Sequence, residues 1–283
     1  MLLSNVWMVL SLIAAVLMAV ASAAGILSCA TYGRETVTWA AQGTGQDFVN
    51  LLIVFPVLVI TAIRAHLGNA GARLVWIGAL MYVAYSYVLY AFFVHFGPWF
   101  LVYVAVLGTS VYALAGALSQ LKVPETPLPI DADLRARGAA AFLMLFGCGF
   151  AALWLSDVVP ALIAGRTPAS VTESGFSVNP VHVLDLALAL PGIIATSVLL
   201  WRRRPTGALF AVPVLVFAVM MGLAIVAMAL EMRAQGLPAP LGILPVIVTA
   251  VLCSAAFARL LLHAQTDPRA SARAIPTANE RFR

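Results

Sequence analysis

The main pattern along the chain is a succession of long apolar segments separated by short polar ones. Eight segments are present, at about 5–29, 47–66, 74–96, 98–120, 138–164, 181–201, 207–230 and 240–263. Each is long enough for an α-helix to cross the hydrocarbon core of a bilayer, which takes about 20 residues. Membrane-barrel strands would instead alternate apolar and polar positions over about ten residues. The pattern therefore predicts an all-α, polytopic membrane helical bundle with eight transmembrane helices.

Composition narrows the class of protein further. Of the 283 residues 63% are apolar and 10% are charged, and the mean hydropathy is +1.02. Soluble domains have roughly 25% charged residues, so an ordinary soluble enzyme is excluded. The predicted spans leave no room for a separate soluble domain. We therefore expect a single transmembrane domain at 1–264, followed by a short basic cytoplasmic tail at 265–283.

The basic residues predict the orientation of the spans. If the amino terminus is cytoplasmic, only Arg34, Arg166 and Arg233 of the sixteen lysines and arginines fall on the outer side. Cytoplasmic loops of membrane proteins are enriched in these residues. The sequence thus predicts a bacterial-type inner membrane protein with both termini cytoplasmic. The net charge of +5 then reflects topology and contact with anionic lipids, and it does not require a nucleic-acid partner.

Two segments repeat a pattern of polar residues and proline with a constant offset of 135 residues. The second segment carries Asp47, Asn50, Pro56 and Thr61, and the sixth carries His182, Asp185, Pro191 and Thr196. This offset favours two parallel four-helix halves, 1–120 and 137–264, related by a pseudo-twofold axis along the membrane normal. Chance similarity between apolar helices is the alternative. The prolines, with Pro213 and Pro245, are predicted to kink spans two, six, seven and eight.

Polar residues from several spans gather near the predicted outer side. Five of them form the predicted substrate or proton path: Asp47, Asn50, Asp157, His182 and Asp185. A carboxylate inside the membrane is costly unless it faces a cavity or a partner, and it is therefore a candidate functional residue. We expect Asp157 and Asp185 to lie within the hydrocarbon. Asp47 is expected nearer the interface, where solvation makes a charge inexpensive.

A second group of candidates lies at span ends and along span three. His95 closes span three and Glu231 closes span seven, both near the predicted interface. Tyr82, Tyr85 and Tyr90 lie along span three, where buried hydroxyls need hydrogen-bond partners. These tyrosines either line a ligand pocket or make ordinary interhelical hydrogen bonds.

Histidine and aspartate spaced three residues apart raise the question of a metal. His182 and Asp185 could share one ion from a single helix face, with His95 completing the shell. A proton relay and a purely structural hydrogen bond are the alternatives. The spacing is unspecific, and no HExxH motif accompanies it. Haem would need two histidines at one depth, and only one pair lies at each membrane side. We predict neither a metal nor haem.

Four short stretches resemble a known group of proteins. They are Asp47-Phe48-Val49-Asn50, His95-Phe96-Gly97-Pro98, the run from Asn179 to Asp185, and Arg202-Arg203-Arg204-Pro205. Over roughly spans two to seven the sequence resembles bacterial multi-span membrane proteins without an assigned activity. The resemblance implies a multi-span fold, and it assigns no catalytic residue.

Three functions are compatible with these features. The leading hypothesis is a small-solute or ion carrier, proton-coupled in one version, with an outward-facing cavity of acidic residues and histidine. A metal-dependent enzyme acting on a lipid or quinone-like substrate near the outer leaflet is the second. A non-catalytic sensor or assembly partner is the third. The bilayer is a partner in each case, and a homo-oligomer or a membrane partner protein is compatible with all three.

Overall fold

The computed structural model describes residues 5–123 and 133–266, and in these ranges it contains eight long apolar helices. They are α1 (Asn5–Leu27), α2 (Val37–His66), α3 (Ala70–Phe93), α4 (Phe100–Ser119), α5 (Asp133–Ile163), α6 (Pro180–Trp201), α7 (Pro205–Ala234) and α8 (Leu244–Thr266). The chain is thus a polytopic helical membrane protein, as predicted. Helix α8 includes the first two residues of the predicted tail, and the rest of that tail, 267–283, lies outside the described residues.

Helix starts follow local sequence signals. The side chain of Asn69 accepts a hydrogen bond from the backbone N–H of Ala72 at the start of α3. Asn179 caps α6 in the same way, and Pro180 follows it at the first helical position. Proline is favoured there because its missing N–H would have no partner in the first turn. Pro205 begins α7 in the same manner.

Helix α2 begins about ten residues earlier than the sequence predicts. Thr36 caps it, and the helix runs through the polar residues that precede the predicted segment 47–66. These residues lower the local hydropathy, but Gly45 brings this part of α2 against the backbone of α7 at Met228. Tertiary packing therefore overrides the polar composition, and Asp47 lies well inside the span rather than at its start.

The most buried helices, α3 and α7, pack against each other at the centre of the bundle. In the first half, α1 packs along both α4 and α2. In the second half, α5 packs on α6 but makes little contact with α8. The odd-numbered helices all end on the same side of the bundle, and we call this side the predicted outer end. There α2 packs closely on α7, whereas the start of α6 barely touches α3.

Two spans contain a single wide turn of π-helix. The turns cover Asn50–Val54 in α2 and Asp185–Ala189 in α6. The N–H of Phe55 donates to the carbonyl of Asn50, and the N–H of Leu190 donates to that of Asp185. A proline follows each turn by two residues, so the extra residue in the wide turn accommodates the missing backbone donor. Both π turns begin at a residue of the predicted polar path.

The structure extends the offset of 135 residues beyond the polar pattern. The π turns, the ends of α2 and α6 (His66 and Trp201) and the starts of α3 and α7 (Ala70 and Pro205) all obey it. Thr61 donates to the carbonyl of Val57, and Thr196 donates to that of Gly192, again at this offset. The division into two halves itself stays a prediction.

The prolines differ in position. Pro213 lies inside α7, where its carbonyl faces Gly78 of α3, the residue 135 positions earlier. A Cβ atom at Gly78 would lie 2.6 Å from that oxygen, so the glycine permits the close approach of the two central helices. Pro245 lies in the first turn of α8 rather than in mid-span. The predicted kink of span eight is therefore wrong, because proline fits a first helical turn without breaking a backbone hydrogen bond.

Candidate functional site

A cavity of about 500 Å³ opens in the second half of the bundle, toward the predicted outer end. Helices α5, α6, α7 and α8 form most of its walls. Helix α3 contributes Tyr85 and Leu89, and α2 contributes Gln42 and Gln46. The walls are largely apolar, including Phe146, Phe150, Phe217, Ile225, Ile247 and Val251. Pockets of 300–1,000 Å³ with apolar walls and few polar groups are typical of small-molecule sites.

Asp185, the first residue of the π turn in α6, forms the centre of the polar part of the cavity. The hydroxyl of Tyr85 donates to its Oδ1 at 2.8 Å, and the indole N–H of Trp154 donates to its Oδ2 at 2.7 Å. The carboxylate is thus held between α3 and α5, two helices from different halves. Each oxygen keeps further acceptor capacity for a ligand.

His182 and Asp157 extend this polar part. The imidazole of His182 lies against the indole of Trp154, with ring centroids 4.5 Å apart. Asp157 accepts a hydrogen bond from Ser170 at 2.6 Å, and Ser170 belongs to the short helix Ala169–Ser174 in the loop before α6. The side chains of His182, Trp154, Asp157 and Ser170 all line the cavity.

The charges around the cavity have one sign. Asp157 and Asp185 are acidic, and no lysine or arginine is among the cavity-lining residues in the part of the chain that the structure describes. Among the described residues, the hydrogen-bond donors to the Asp185 side chain are the neutral groups of Tyr85 and Trp154, and the imidazole of His182 lies within electrostatic range of it. Negative potential is therefore concentrated beside an apolar wall.

The cavity ends where α5 and α8 come together toward the other end of the bundle. There the rings of Phe142 and Phe257 lie 5.6 Å apart, and Gly138 lies against Phe257. Beyond this contact, toward the predicted outer end, the cavity separates the two helices.

The corresponding turn in α2 has a closed environment, which we call the tyrosine cluster: Asp47, Asn50, Tyr32, Tyr82, Tyr87, Tyr90 and Tyr103. Asp47 is 1% exposed and Asn50 is fully buried. Tyr32 donates to Asp47 Oδ2 at 2.6 Å, and Tyr90 donates to Asp47 Oδ1 at 3.0 Å. Tyr82 donates to Asn50 Oδ1 at 3.0 Å.

Close packing seals the tyrosine cluster. The rings of Tyr87 and Tyr90 stack at 5.1 Å, and Tyr103 contacts both. Gly25 and Gly43 leave the space that Asp47 and Tyr32 occupy, since an added Cβ would collide with them. Tyr32 lies in the loop after α1, where burial, and next the charge of Asp47, raise the pKa of its phenol well above the ordinary value. Tyr32 therefore keeps its proton and stays a donor.

The five predicted path residues thus divide between two sites. Asp157, His182 and Asp185 line the cavity, whereas Asp47 and Asn50 do not line it and belong to the tyrosine cluster. The interfacial position expected for Asp47 is wrong, because α2 starts earlier and the tyrosines cover the carboxylate.

The second group of candidates also divides. Tyr85 reaches the cavity, while Tyr82 and Tyr90 reach the tyrosine cluster. His95 is mostly exposed and pairs with Glu35 at 3.0 Å, and Glu231 accepts from Gln235. Neither residue lines the cavity.

Sequence reasoning missed Tyr32, Gln46 and Trp154. Tyr32 and Trp154 each donate to an intramembrane aspartate, and Gln46 donates to the hydroxyl of Tyr82 at 3.5 Å. Trp154 lies three residues before Asp157, one helical turn away, and this spacing could have associated it with the polar path. Nothing in the sequence indicates that Tyr32 folds back from its loop.

The predicted alternative of a metal shell has no complete ligand set here. His95 is paired with Glu35, and the described residues contain no group of three or more histidine, cysteine, aspartate or glutamate side chains placed to hold a metal ion.

Comparisons with known proteins give no further guide to function. No family model matches the chain, and no curated protein or solved structure matches it significantly. Function must therefore be argued from the geometry of the two sites.

Proposed function

We propose that this protein is a membrane carrier for small amphipathic cations and that the cavity around Asp185 is the binding site. The observation that carries the proposal is the combination of about 500 Å³ of largely apolar space with two carboxylates and no lysine or arginine among the described lining residues. This proposal specifies the solute of the carrier that the sequence suggests.

The charge of the cavity supports a cationic ligand. An intramembrane carboxylate is stable when it faces a partner or water, and the donors on Asp185 are a phenol and an indole. A ligand ammonium or iminium group beside Asp185 would supply the missing positive charge. An anionic ligand would instead face two carboxylates with no compensating group.

The apolar walls support a ligand with an aromatic or aliphatic body. Phe150, Trp154 and Phe217 present ring surfaces to the cavity, and aromatic faces attract cations and stack on flat rings. A fully hydrated ion would gain nothing from these walls. The polar residues would orient one end of such a ligand, and the rings would hold the rest.

The orientation follows from the basic residues. We propose a bacterial-type inner membrane with both termini cytoplasmic, because Arg202, Arg203 and Arg204 lie in the loop before α7, opposite the cavity. Native Cys29 offers a test, since it is exposed in the loop after α1. A membrane-impermeant maleimide should label Cys29 on intact cells. Labelling only after the cells are broken would contradict this orientation.

Ethidium, a planar aromatic cation, is the probe for the carrier function. Proteoliposomes filled with DNA should take up ethidium with saturable kinetics, read as fluorescence, faster than protein-free liposomes. Asp185→Asn should abolish the protein-dependent uptake. It should also weaken ethidium binding to the detergent-purified protein by roughly tenfold or more, because a partly buried charge pair is lost.

Glu231→Gln is the matched control. It removes an acidic residue at the same end of the bundle that does not line the cavity. Uptake and binding should stay at the wild-type level. Binding without uptake would contradict the carrier function, and equal effects of the two substitutions would contradict the site.

A further inference from the structure

We propose that the tyrosine cluster holds a second binding site, for one hard monovalent cation with sodium as the probe, between Asp47, Ser22 and Tyr87. This inference goes beyond the proposed carrier function and does not rest on it. The site lies in the first half of the bundle, outside the cavity, and is built by α1, α2 and α3.

Unpartnered polar atoms gather around Asp47. Among the described residues, seven buried side-chain nitrogen or oxygen atoms make no hydrogen bond, and four of them surround this cluster. They are Ser22 Oγ, Asn50 Nδ2, Ser86 Oγ and Tyr87 OH. The exposed fraction of each of these side chains is 0%. Buried polar atoms almost always have a partner, so this gathering indicates a bound species that satisfies several of them together.

The position of these atoms defines the site. Gly25, one turn after Ser22 on α1, lies directly against Asp47 Oδ2. The ring of Tyr87 stacks on Tyr90, which donates to Asp47 Oδ1. Ser22 lies within interaction range of Asp47 and Tyr87 without the geometry of a hydrogen bond. Each oxygen of Asp47 accepts one phenol proton and keeps a free lone pair. A small ion between these three side chains would contact a carboxylate and two hydroxyl oxygens.

Charge selects a monovalent cation. The contacts of Asp47 in the described structure are the neutral groups Tyr32, Tyr90, Ser22 and Asn50. A single positive charge would neutralise the carboxylate, whereas a divalent cation would leave an excess charge in a medium of low dielectric constant. Water could satisfy the hydroxyls but not the charge. A proton on Asp47 would neutralise the charge and could be donated to Ser22 or Tyr87, but it would bond only one of them, whereas an ion would contact both.

The chemistry of the ligands fits a hard ion. Carboxylate and hydroxyl oxygens suit hard cations, whereas transition metals favour the imidazole and thiolate groups that the cluster lacks in its described residues. The amide of Asn50 lies beside Asp47 and can turn over. Its oxygen would then face the ion, while its NH₂ group donates to Tyr82.

Thermal unfolding of the detergent-purified full chain tests the site. A ligand that binds only the folded protein stabilises it in proportion to its occupancy. The unfolding midpoint should rise saturably as NaCl replaces N-methylglucamine chloride at constant ionic strength. Ser22→Ala and Tyr87→Phe keep the packing volume nearly unchanged, and each should weaken the apparent sodium affinity by roughly tenfold, as expected for the loss of one ligand. Asp47→Asn should remove the sodium dependence.

Asp185→Asn is the control, since it alters the cavity and leaves the tyrosine cluster intact. It should keep the full sodium response. Two outcomes would overturn the site: a midpoint that responds to pH but not to sodium, or a sodium response unchanged in both Ser22→Ala and Tyr87→Phe. Because no cavity ligand is present in this experiment, failure here would not affect the proposed ethidium site.

Discussion

The two π turns offer a direct comparison between a closed and an open site built on the same local structure. Both turns begin at a polar residue, follow another polar residue by three positions and precede a proline. Around Asn50 the space is filled, and around Asp185 it is a cavity. The π turn therefore presents a polar pair to the bundle interior, and the neighbouring helices decide whether that pair is buried or accessible.

Side-chain volume explains much of the difference. Three tyrosines of α3 close the first site, and the residues 135 positions later, in α7, are smaller or apolar. Phe217 corresponds to Tyr82, Gly222 to Tyr87 and Ile225 to Tyr90. Phe217, Gly222 and Ile225 all line the cavity. The second site instead takes its donors from Tyr85 of the other half and from Trp154.

The largest expected loss of stability comes from pushing α2 away from α7 beside the tyrosine cluster. A Cβ at Gly45 would lie 2.6 Å from the backbone of Met228, so Gly45→Ala must push α2 away from α7. We expect a loss of about 1–3 kcal/mol in the free energy of unfolding, typical of overpacking. Thermal unfolding in detergent measures it. Gly149→Ala is the control, since Gly149 faces open space and should tolerate alanine. Equal stability of the two variants would contradict the close packing.

Filling the cavity with a large side chain should make the site around Asp185 as closed as the tyrosine cluster. Ala250→Phe places a ring in the cavity from α8, and we expect ethidium binding to weaken at least about tenfold because the ligand loses its space. Ala255→Phe adds the same ring on an exposed face of the same helix and should leave binding unchanged. Equilibrium dialysis with purified protein distinguishes the two.

Two tyrosines of α3 allow a crossed test of the comparison. Tyr85→Phe removes a donor to Asp185, and we expect ethidium affinity to fall several-fold, since the net contribution of a hydrogen bond is typically about 0.5–1.5 kcal/mol. Tyr82→Phe removes the donor to Asn50 and should lower the unfolding midpoint while binding persists. Binding isotherms and thermal scans on both variants check this. If Tyr82→Phe weakened ethidium binding and Tyr85→Phe did not, the two sites would not be separate as described.

The smallest effect is expected at the rim. His95→Ala removes the half-exposed imidazole that pairs with Glu35, whose own side chain is only 2% exposed. Glu35 still accepts from the backbone N–H of residue 95, so the unfolding midpoint should fall only slightly and ethidium uptake should persist. A large loss of uptake would assign His95 to the transport path after all.

Much of the fold could be predicted from the sequence because spans depend on local composition. All eight spans were predicted, and the offset of 135 residues between Asp47 and His182 recurs between the two π turns. The start of α2 was missed because Thr38, Gln42 and Gln46 make that stretch polar, and only its packing on α7 makes it part of the span.

For the sites, residue types alone were less informative. Asp185 and His182 could be recognised as intramembrane polar residues from their positions, and both line the cavity. Asp47 fits the same pattern, yet it lies under Tyr32 and Tyr90, which come from a loop and from another helix. Sequence spacing does not show which side chains from distant segments will cover a carboxylate.

The sequence by itself determined the membrane environment, the number of spans and the polar residues placed inside two of them. These follow from hydropathy, helix length and proline chemistry, which act within a single segment. Tertiary structure alone decided that one polar pair is sealed by tyrosines and the other opens to a cavity. That decision depends on close approaches such as Gly45 on Met228 and on the separation of α5 from α8, because burial is a property of neighbouring helices rather than of one segment.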